Sequence, residues 1–323
     1  MLKEISIEIL RKCPNRCIHC SSLSDELCPE ILPYDIFSSV VGDAAELGTT
    51  QICISGGEPF LHPDINAMID LAHSLGLVSY IYTSGVTFDS QGNRSSLDEN
   101  TLRAVAGKVG KIIFNIGAGI SETYDGIMGT TGCFDLMKQS VATAVSLGIC
   151  TEAHFVPMRL NIDQIEQTFQ LCMGLGMKRV SFLRLVLQGR ALDNAKKIGL
   201  SDVELQKLKH DLENLSKQFP SEVRIGVPLS TNDTCHRCMA ATGKLNIRYD
   251  GKVFPCEVFK DGRADLSLEE LEPESIYEHS LQNIFQHSAY LQRVRALSDE
   301  FSRHDGHEMC IGQYLINRDR PQF

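Results

Sequence analysis

The sequence predicts an α/β fold, a partial (βα)6 TIM-like barrel followed by a small C-terminal α+β domain, and three observations carry that expectation. First, a Leu-Gly pair recurs where a helix-like stretch gives way to an apolar strand-like run, at Leu47-Gly48, Leu75-Gly76, Leu147-Gly148 and Leu175-Gly176. Glycine just past a helix end takes the left-handed conformation that satisfies the last carbonyls. Second, the intervening stretches carry helical spacing: Phe37, Val40, Val41 and Ala44 share one face, as do Ile65, Ile69 and Ala72. Third, residues suited to chemistry follow the strand-like runs, and in such barrels the C-terminal strand ends form the working face.

Taken in order, strands are expected at 5–10, 51–54, 77–82, 111–116, 150–155 and 179–185. Pro33 and Pro63 stand near helix starts, where a missing N–H costs little. Six βα units in succession imply a parallel sheet with right-handed crossovers. No G-x-G-x-x-G follows the first strand, which argues against a dinucleotide-binding sheet. Ser201-Asp202-Val203-Glu204 reads as a capping box opening an amphipathic helix to about Gln218. Phe219-Pro220-Ser221 and the run from Pro228 to Asp233 read as a turn-rich linker. Beyond it, Asp250-Gly251 between two alternating runs signals a hairpin. The expected division is 1–200 for the barrel, 201–233 for a connecting helix and linker, and 234–323 for the second domain.

Bulk properties narrow the function classes. A chain of 323 residues buries one substantial core and a smaller one. Its net charge of -10 argues against general nucleic-acid binding, which needs a basic face. No apolar run approaches the roughly 18 to 20 residues that span a bilayer, and no export signal opens the chain, so a cytoplasmic protein without a membrane partner is expected. Twelve cysteines in a reducing compartment point to metal or redox use rather than a disulfide framework.

The densest chemistry lies in Lys12-Cys13-Pro14-Asn15-Arg16-Cys17-Ile18-His19-Cys20, where Cys13, Cys17 and Cys20 are spaced C-x3-C-x2-C directly after the first strand. Three thiolates this close suit a cubane 4Fe-4S cluster, whose usual complement is four, so one iron is left without a protein ligand. A zinc site is the alternative. After the second strand comes Ser55-Gly56-Gly57-Glu58-Pro59, and after the third Thr83-Ser84-Gly85.

Together the cysteine loop and the Gly-Gly-Glu-Pro run resemble the radical S-adenosylmethionine (radical SAM) superfamily. The resemblance implies that the amine and carboxylate of SAM chelate the open iron and that reduction splits the sulfonium. A 5'-deoxyadenosyl radical then takes hydrogen from a substrate C–H bond. It also implies that His19 packs against adenine, that Gly56, Gly57, Glu58, Pro59, Thr83 and Ser84 lie at the bound SAM, and that Asn115 occupies a ribose-contacting position. The family's Ser-x-Asp-Gly there reads Asn115-Ile116-Gly117-Ala118. Val186 and the residues to Gly189 are placed near adenine, with Asn161 and Arg184 where polar SAM or substrate contacts fall.

The second cysteine set is Cys235, Cys238, Cys256 and Cys310, with the hairpin turn returning Cys256 toward Cys238. Its opening resembles the SPASM/twitch extension of the same superfamily, which implies a second, auxiliary 4Fe-4S cluster; a structural zinc ribbon is the alternative. Four ligands would close that cluster to all but electrons, and four are expected here. Cys28, Cys53, Cys133, Cys150 and Cys172 read as small buried hydrophobes, with hydrogen-atom donation to a substrate radical as the alternative. The titratable tail from Arg303 to Cys310 is a candidate source of a general base.

The resemblance implies modification of a ribosomally synthesised peptide by crosslinking, epimerisation or oxidation. The alternatives are radical chemistry on an aminosugar or nucleotide, and a SAM-binding protein with a zinc domain and no radical turnover. A flavodoxin- or ferredoxin-type electron donor is the expected partner. Because the barrel begins at residue 3, any leader peptide is expected to be read by a separate recognition protein or not at all.

Overall fold

The computed structural model describes residues 1–226, 229, 238–260, 271–304 and 310–312. Among these residues nine strands make one sheet in the order β11-β10-β1-β2-β3-β6-β7-β8-β9. They are β1 (Glu4–Glu8), β2 (Gln51–Ser55), β3 (Val78–Thr83), β6 (Val109–Asn115), β7 (Thr151–Phe155), β8 (Arg179–Phe182), β9 (Val223–Ile225), β10 (Lys244–Ile247) and β11 (Val253–Phe254). A separate hairpin joins β4 (Val86–Phe88) to β5 (Arg94–Ser96). Every pairing in the large sheet is parallel except β10 with β11.

The six expected strands are β1, β2, β3, β6, β7 and β8, and the junction glycines behave as the pattern requires, with φ of 84° at Gly48 and 82° at Gly176. The apolar faces read from spacing are buried: Phe37, Val41 and Ala44 on helix Tyr34–Glu46 and Ile69 and Ala72 on helix Ile65–Ser74 are all 0% exposed. The capping box at Ser201 and Glu204 is complete, and its helix runs Asp202–Gln218.

Two strand pairings of the large sheet lie beyond the sequence reading. A seventh parallel strand, β9, pairs with β8 in the stretch read as linker. The hairpin of the second domain also does not stand apart, because β10 pairs in parallel with β1, Glu4 opposite Lys244 through Ile7 opposite Ile247. The rest of the linker (227, 228 and 230–233), Cys235 and tail residues 305–309 fall outside the described residues.

Alternation along the strands sends Ile5 and Ile7 toward the helices and Ser6 and Glu8 into the concave side. That side is polar and closed over. Lys244 on β10 reaches Glu4 on β1 at 2.8 Å and Glu257 at 3.0 Å, and the Ser6 hydroxyl donates to Glu257. Burial, then the charges of Arg224, Lys111 and Lys244, push His154 on β7 down to about 3. Tyr82 on β3 and His154 on β7 stand two strands apart in sheet order, roughly 10 Å on a flat sheet, yet their ring centroids are 5.2 Å apart, as a sheet curled around this side brings them.

Candidate active site

The cysteine loop leaves β1 and is fastened on every side through its backbone. Gly57 N–H donates to the Leu10 carbonyl at 2.8 Å and Glu58 N–H to that of Lys12 at 2.9 Å. A Cβ on Gly57 would stand 2.0 Å from Lys12 O, and one on Gly56, whose φ is 139°, would stand 2.2 Å from Leu10 O. The two glycines are therefore demanded by the approach of two backbones. The N–H groups of Arg16 and Ile18 donate to the carbonyls of Met128 and Ile127 (3.0 and 2.9 Å), and Arg94 Nε to Pro14 O at 2.9 Å.

The far side of the loop is held by the segment after β8. Arg190 donates from Nε to Cys17 O (2.8 Å), from its second terminal nitrogen to Ser24 O (2.6 Å) and from its backbone N–H to Cys20 O (3.0 Å). Asn194 Nδ2 donates to Ile18 O at 3.0 Å. Neither residue was among the sequence candidates. The signal available was positional, a Gly-Arg pair just past a strand end, like the other site motifs.

Cys13 is buried, and Cys17 and Cys20 are half-buried. Burial and then the neighbouring Cys17 push the Cys13 thiol well up; burial and then Cys20 push Cys17 up to about 12, with Arg190 opposing. The thiols thus share one electrostatic neighbourhood, although no three His, Cys, Asp or Glu side chains among the described residues converge as a finished metal group. Soft sulfur donors with no carboxylate among them fit an iron-sulfur cluster or zinc rather than a hard cation. His19 between them is neutral, pushed down to about 4 by burial and then Arg190, and its buried Nδ1 has no partner among the described residues.

Glu58 is 0% exposed and its carboxylate faces the protein. One oxygen accepts from Thr83 Oγ1 at 2.7 Å, the other from Ser84 N–H at 2.9 Å and Ser84 Oγ at 2.7 Å. The Gly-Gly-Glu-Pro run thereby locks the loop after β2 to the loop after β3. Burial raises Glu58 to about 6 against the lowering pull of these donors. A carboxyl raised in the folded state contributes stability present below its unfolded value near 4.5 and lost as pH rises through about 6. We expect the melting temperature of the wild type, relative to Glu58→Gln, to rise as pH falls from about 7 to about 5; a gap that narrows over that window would contradict the assignment.

The other candidates separate by environment. Pro59 is buried at the start of a 3-10 turn capped by Glu58. Asn115 ends β6 half-buried, its Nδ2 3.8 Å from Met128 Sδ. Asn161 is 0% exposed and wholly occupied, accepting from Met158 N–H and donating to the Gly117 and Val156 carbonyls; its position braces a loop and leaves no group for a ligand. Arg184, half-buried like Val186, is lowered by burial, with Cys310 opposing. The Cys256 thiol is pushed well up by burial, then by Glu257 and Cys310. Of the cysteines read as small hydrophobes, Cys28, Cys53, Cys133 and Cys172 are buried and Cys150 is exposed, because it sits in the turn just ahead of β7.

Comparison with known proteins agrees with this layout. The family model described as the radical SAM superfamily matches residues 7–172, and one described as an iron-sulfur cluster-binding domain, SPASM, matches 235–312. PqqA peptide cyclase of Gluconobacter oxydans is 28% identical over 257 residues, covering 77% of this chain and 68% of that protein. PqqA peptide cyclase of Rhizobium meliloti is 24% identical over 287 residues, covering 87% and 72%. Among solved structures, Streptococcus suis SuiB bound to S-adenosylmethionine superposes with a TM-score of 0.73 at 16% identity over 92% of this chain and 68% of that chain. The enzyme anSMEcpe with AdoMet and the Kp18Cys peptide gives 0.70 at 11% identity over 98% and 96%. The cysteine loop after β1, the glycines pressed against it and the family match over half of the chain lead to one conclusion: this protein belongs to the radical SAM superfamily, as an enzyme of its SPASM subgroup.

Proposed function

We propose that this enzyme abstracts hydrogen from a C–H bond of a ribosomally synthesised peptide and leaves it crosslinked, epimerised or oxidised. The observation that carries the reading is the similarity to PqqA peptide cyclases, which extends over 77 to 90% of the chain and so beyond the barrel alone. A cluster held by Cys13, Cys17 and Cys20 would bind SAM through its open iron and supply the electron that releases the 5'-deoxyadenosyl radical.

The chain's own residues would then do the following. Gly56 and Gly57 bring the β2 loop against the cysteine loop, and Glu58 fixes Thr83 and Ser84 at the same rim. Cys235, Cys238, Cys256 and Cys310 would hold an auxiliary cluster that accepts the substrate's second electron. Substrate would enter near a cavity of about 220 Å³ lined by Ser21, Ser22, Leu23, Gly189, Arg248, Tyr249 and Lys260. Its walls come from the residues just after Cys20 and from both sides of Cys256 in sequence, as a substrate between two clusters requires. A flavodoxin or ferredoxin would supply the first electron, and a separate protein would present any leader. Functionally, 1–200, 201–233 and 234–323 remain the working segments, although β10 joins the barrel sheet. Among the described residues no helix is long and apolar enough to cross a membrane.

The test is anaerobic incubation of the reconstituted enzyme with SAM, dithionite and a precursor peptide encoded beside it, read by 5'-deoxyadenosine release and peptide mass. Loss of hydrogen mass, or deuterium uptake from D2O for an epimerisation, is expected. Radical formation that instead alters an aminosugar or a nucleotide would replace the peptide. Intact clusters yielding no 5'-deoxyadenosine with any of these would favour a SAM-binding scaffold.

A further inference from the structure

Arg190 is 8% exposed, yet every described hydrogen bond of its guanidinium ends on a backbone carbonyl, those of Cys17 and Ser24. Its charge reaches Asp25, but it forms no ion pair with any carboxylate among the described residues. Carbonyl dipoles satisfy N–H groups without neutralising a cation, and a buried, uncompensated guanidinium is heavily unfavourable. Among the described residues the comparably buried cation Lys260 is paired with a carboxylate, that of Glu8. The guanidinium is fastened to Cys17 O at 2.8 Å and the Arg190 backbone N–H to Cys20 O at 3.0 Å, so the thiolates that a bound cluster would create stand on the loop this cation holds.

The segment carrying Arg190 also has no freedom to move away. A Cβ on Gly189, where φ is 53°, would stand 2.6 Å from the carbonyl oxygens of both Cys20 and Ser21. Asn194 fixes the following turn on Ile18 O at 3.0 Å. Gln188 donates to Val258 O, just beyond Cys256, so the same short segment touches both cysteine regions.

We propose that Arg190 is the counter-charge of the Cys13, Cys17 and Cys20 thiolates and through them sets how readily the bound cluster accepts an electron. The proposal rests on the reading that these three cysteines hold that cluster. Adding an electron makes the cluster more negative, so a fixed, desolvated cation beside its ligands favours the reduced state. Arg190 is in this sense a positioning and charge-setting residue that does not itself touch substrate.

The test is an EPR-monitored redox titration of anaerobically reconstituted wild type, Arg190→Gln, Arg190→Lys and Asn194→Ala, following the signal that disappears when Cys13, Cys17 and Cys20 are all changed to alanine. Arg190→Gln is expected to make reduction about tenfold less favourable, a midpoint about 59 mV more negative for a one-electron couple. Arg190→Lys keeps the charge and is expected to stay near the wild-type midpoint, as is Asn194→Ala, which removes a brace without a charge. A wild-type midpoint in Arg190→Gln would overturn the proposal and leave Arg190 a brace. So would an equal shift in Arg190→Lys and Arg190→Gln. Should Arg190→Gln take up no iron, the lysine variant decides: a wild-type midpoint upholds the charge, a shifted one rejects it. Absence of the signal from wild type would instead remove the underlying cluster reading.

Discussion

Changing Cys13, Cys17 and Cys20 together to alanine is expected to lower the iron of the reconstituted protein from about eight to about four atoms per chain and to abolish 5'-deoxyadenosine formation. The expectation follows from two separate cysteine gatherings. Cys13, Cys17 and Cys20 lie in one loop pinned by the segments after β2, β3 and β8, while Cys256 lies beyond the β10–β11 hairpin in the second region. Nothing described makes a ligand of one set a brace of the other. Iron and zinc counting with EPR before and after reduction measures it. Four irons falling to none, with one zinc retained, would make the second region structural and require redox-neutral chemistry. Retention of all the iron in the triple variant would sink the assignment of the loop.

The second large effect is expected at Lys260. Its ammonium is buried on the concave side of the barrel, donating to Glu8 at the end of β1 and to Ser22 Oγ at 2.7 Å, with side-chain exposures of 8% for Lys260 and 3% for Glu8. Glu8 Oε1 also accepts from Ser22 Oγ at 3.0 Å, but Oε2 has no partner among the described residues, and Lys260 is the cation paired with this carboxylate. Burial works against the lysine's charge, and the attraction of Glu8 more than offsets it, raising Lys260. Lys260→Met should therefore cost about 3 to 5 kcal/mol, the penalty of stranding a buried charge. Glu8→Leu combined with Lys260→Met should recover most of that, because two apolar groups leave no charge behind. Urea unfolding followed by circular dichroism reports both. A single variant within about 0.5 kcal/mol of wild type would mean that the pair is solvated.

Much of this architecture was legible because its signals are local. A Leu-Gly junction, a capping box or an Asp-Gly turn needs only neighbouring residues, and each appears where the sequence placed it. The cysteine loop and the Gly-Gly-Glu-Pro run were legible for the same reason. β9 escaped because Val223–Ile225 is too short for a period-2 pattern and follows Pro220 in a run that reads as turns. The inward direction of Glu58 escaped because motif membership names a residue without saying which way it faces. Arg190 escaped because its partners are carbonyl oxygens, which carry no side-chain identity, about 170 residues away in sequence. Cys150 was misread as buried because its place one residue before β7 leaves it in the exposed turn.

The parallel pairing of β10 with β1 also bears on the order in which the molecule is made. β1 emerges first, but the neighbour that covers its outer edge is about 240 residues later in the chain. At elongation speeds of roughly 5 to 20 residues per second, that edge waits on the order of 10 to 50 seconds with its hydrogen-bonding groups unmatched. Over the same interval Glu4, Ser6 and Glu8 lack Lys244, Glu257 and Lys260, the groups that neutralise or bond them in the finished barrel. Synthesis from the N-terminus thus completes the first strand last, and the growing chain passes through a stage in which its earliest strand is an open template for another chain.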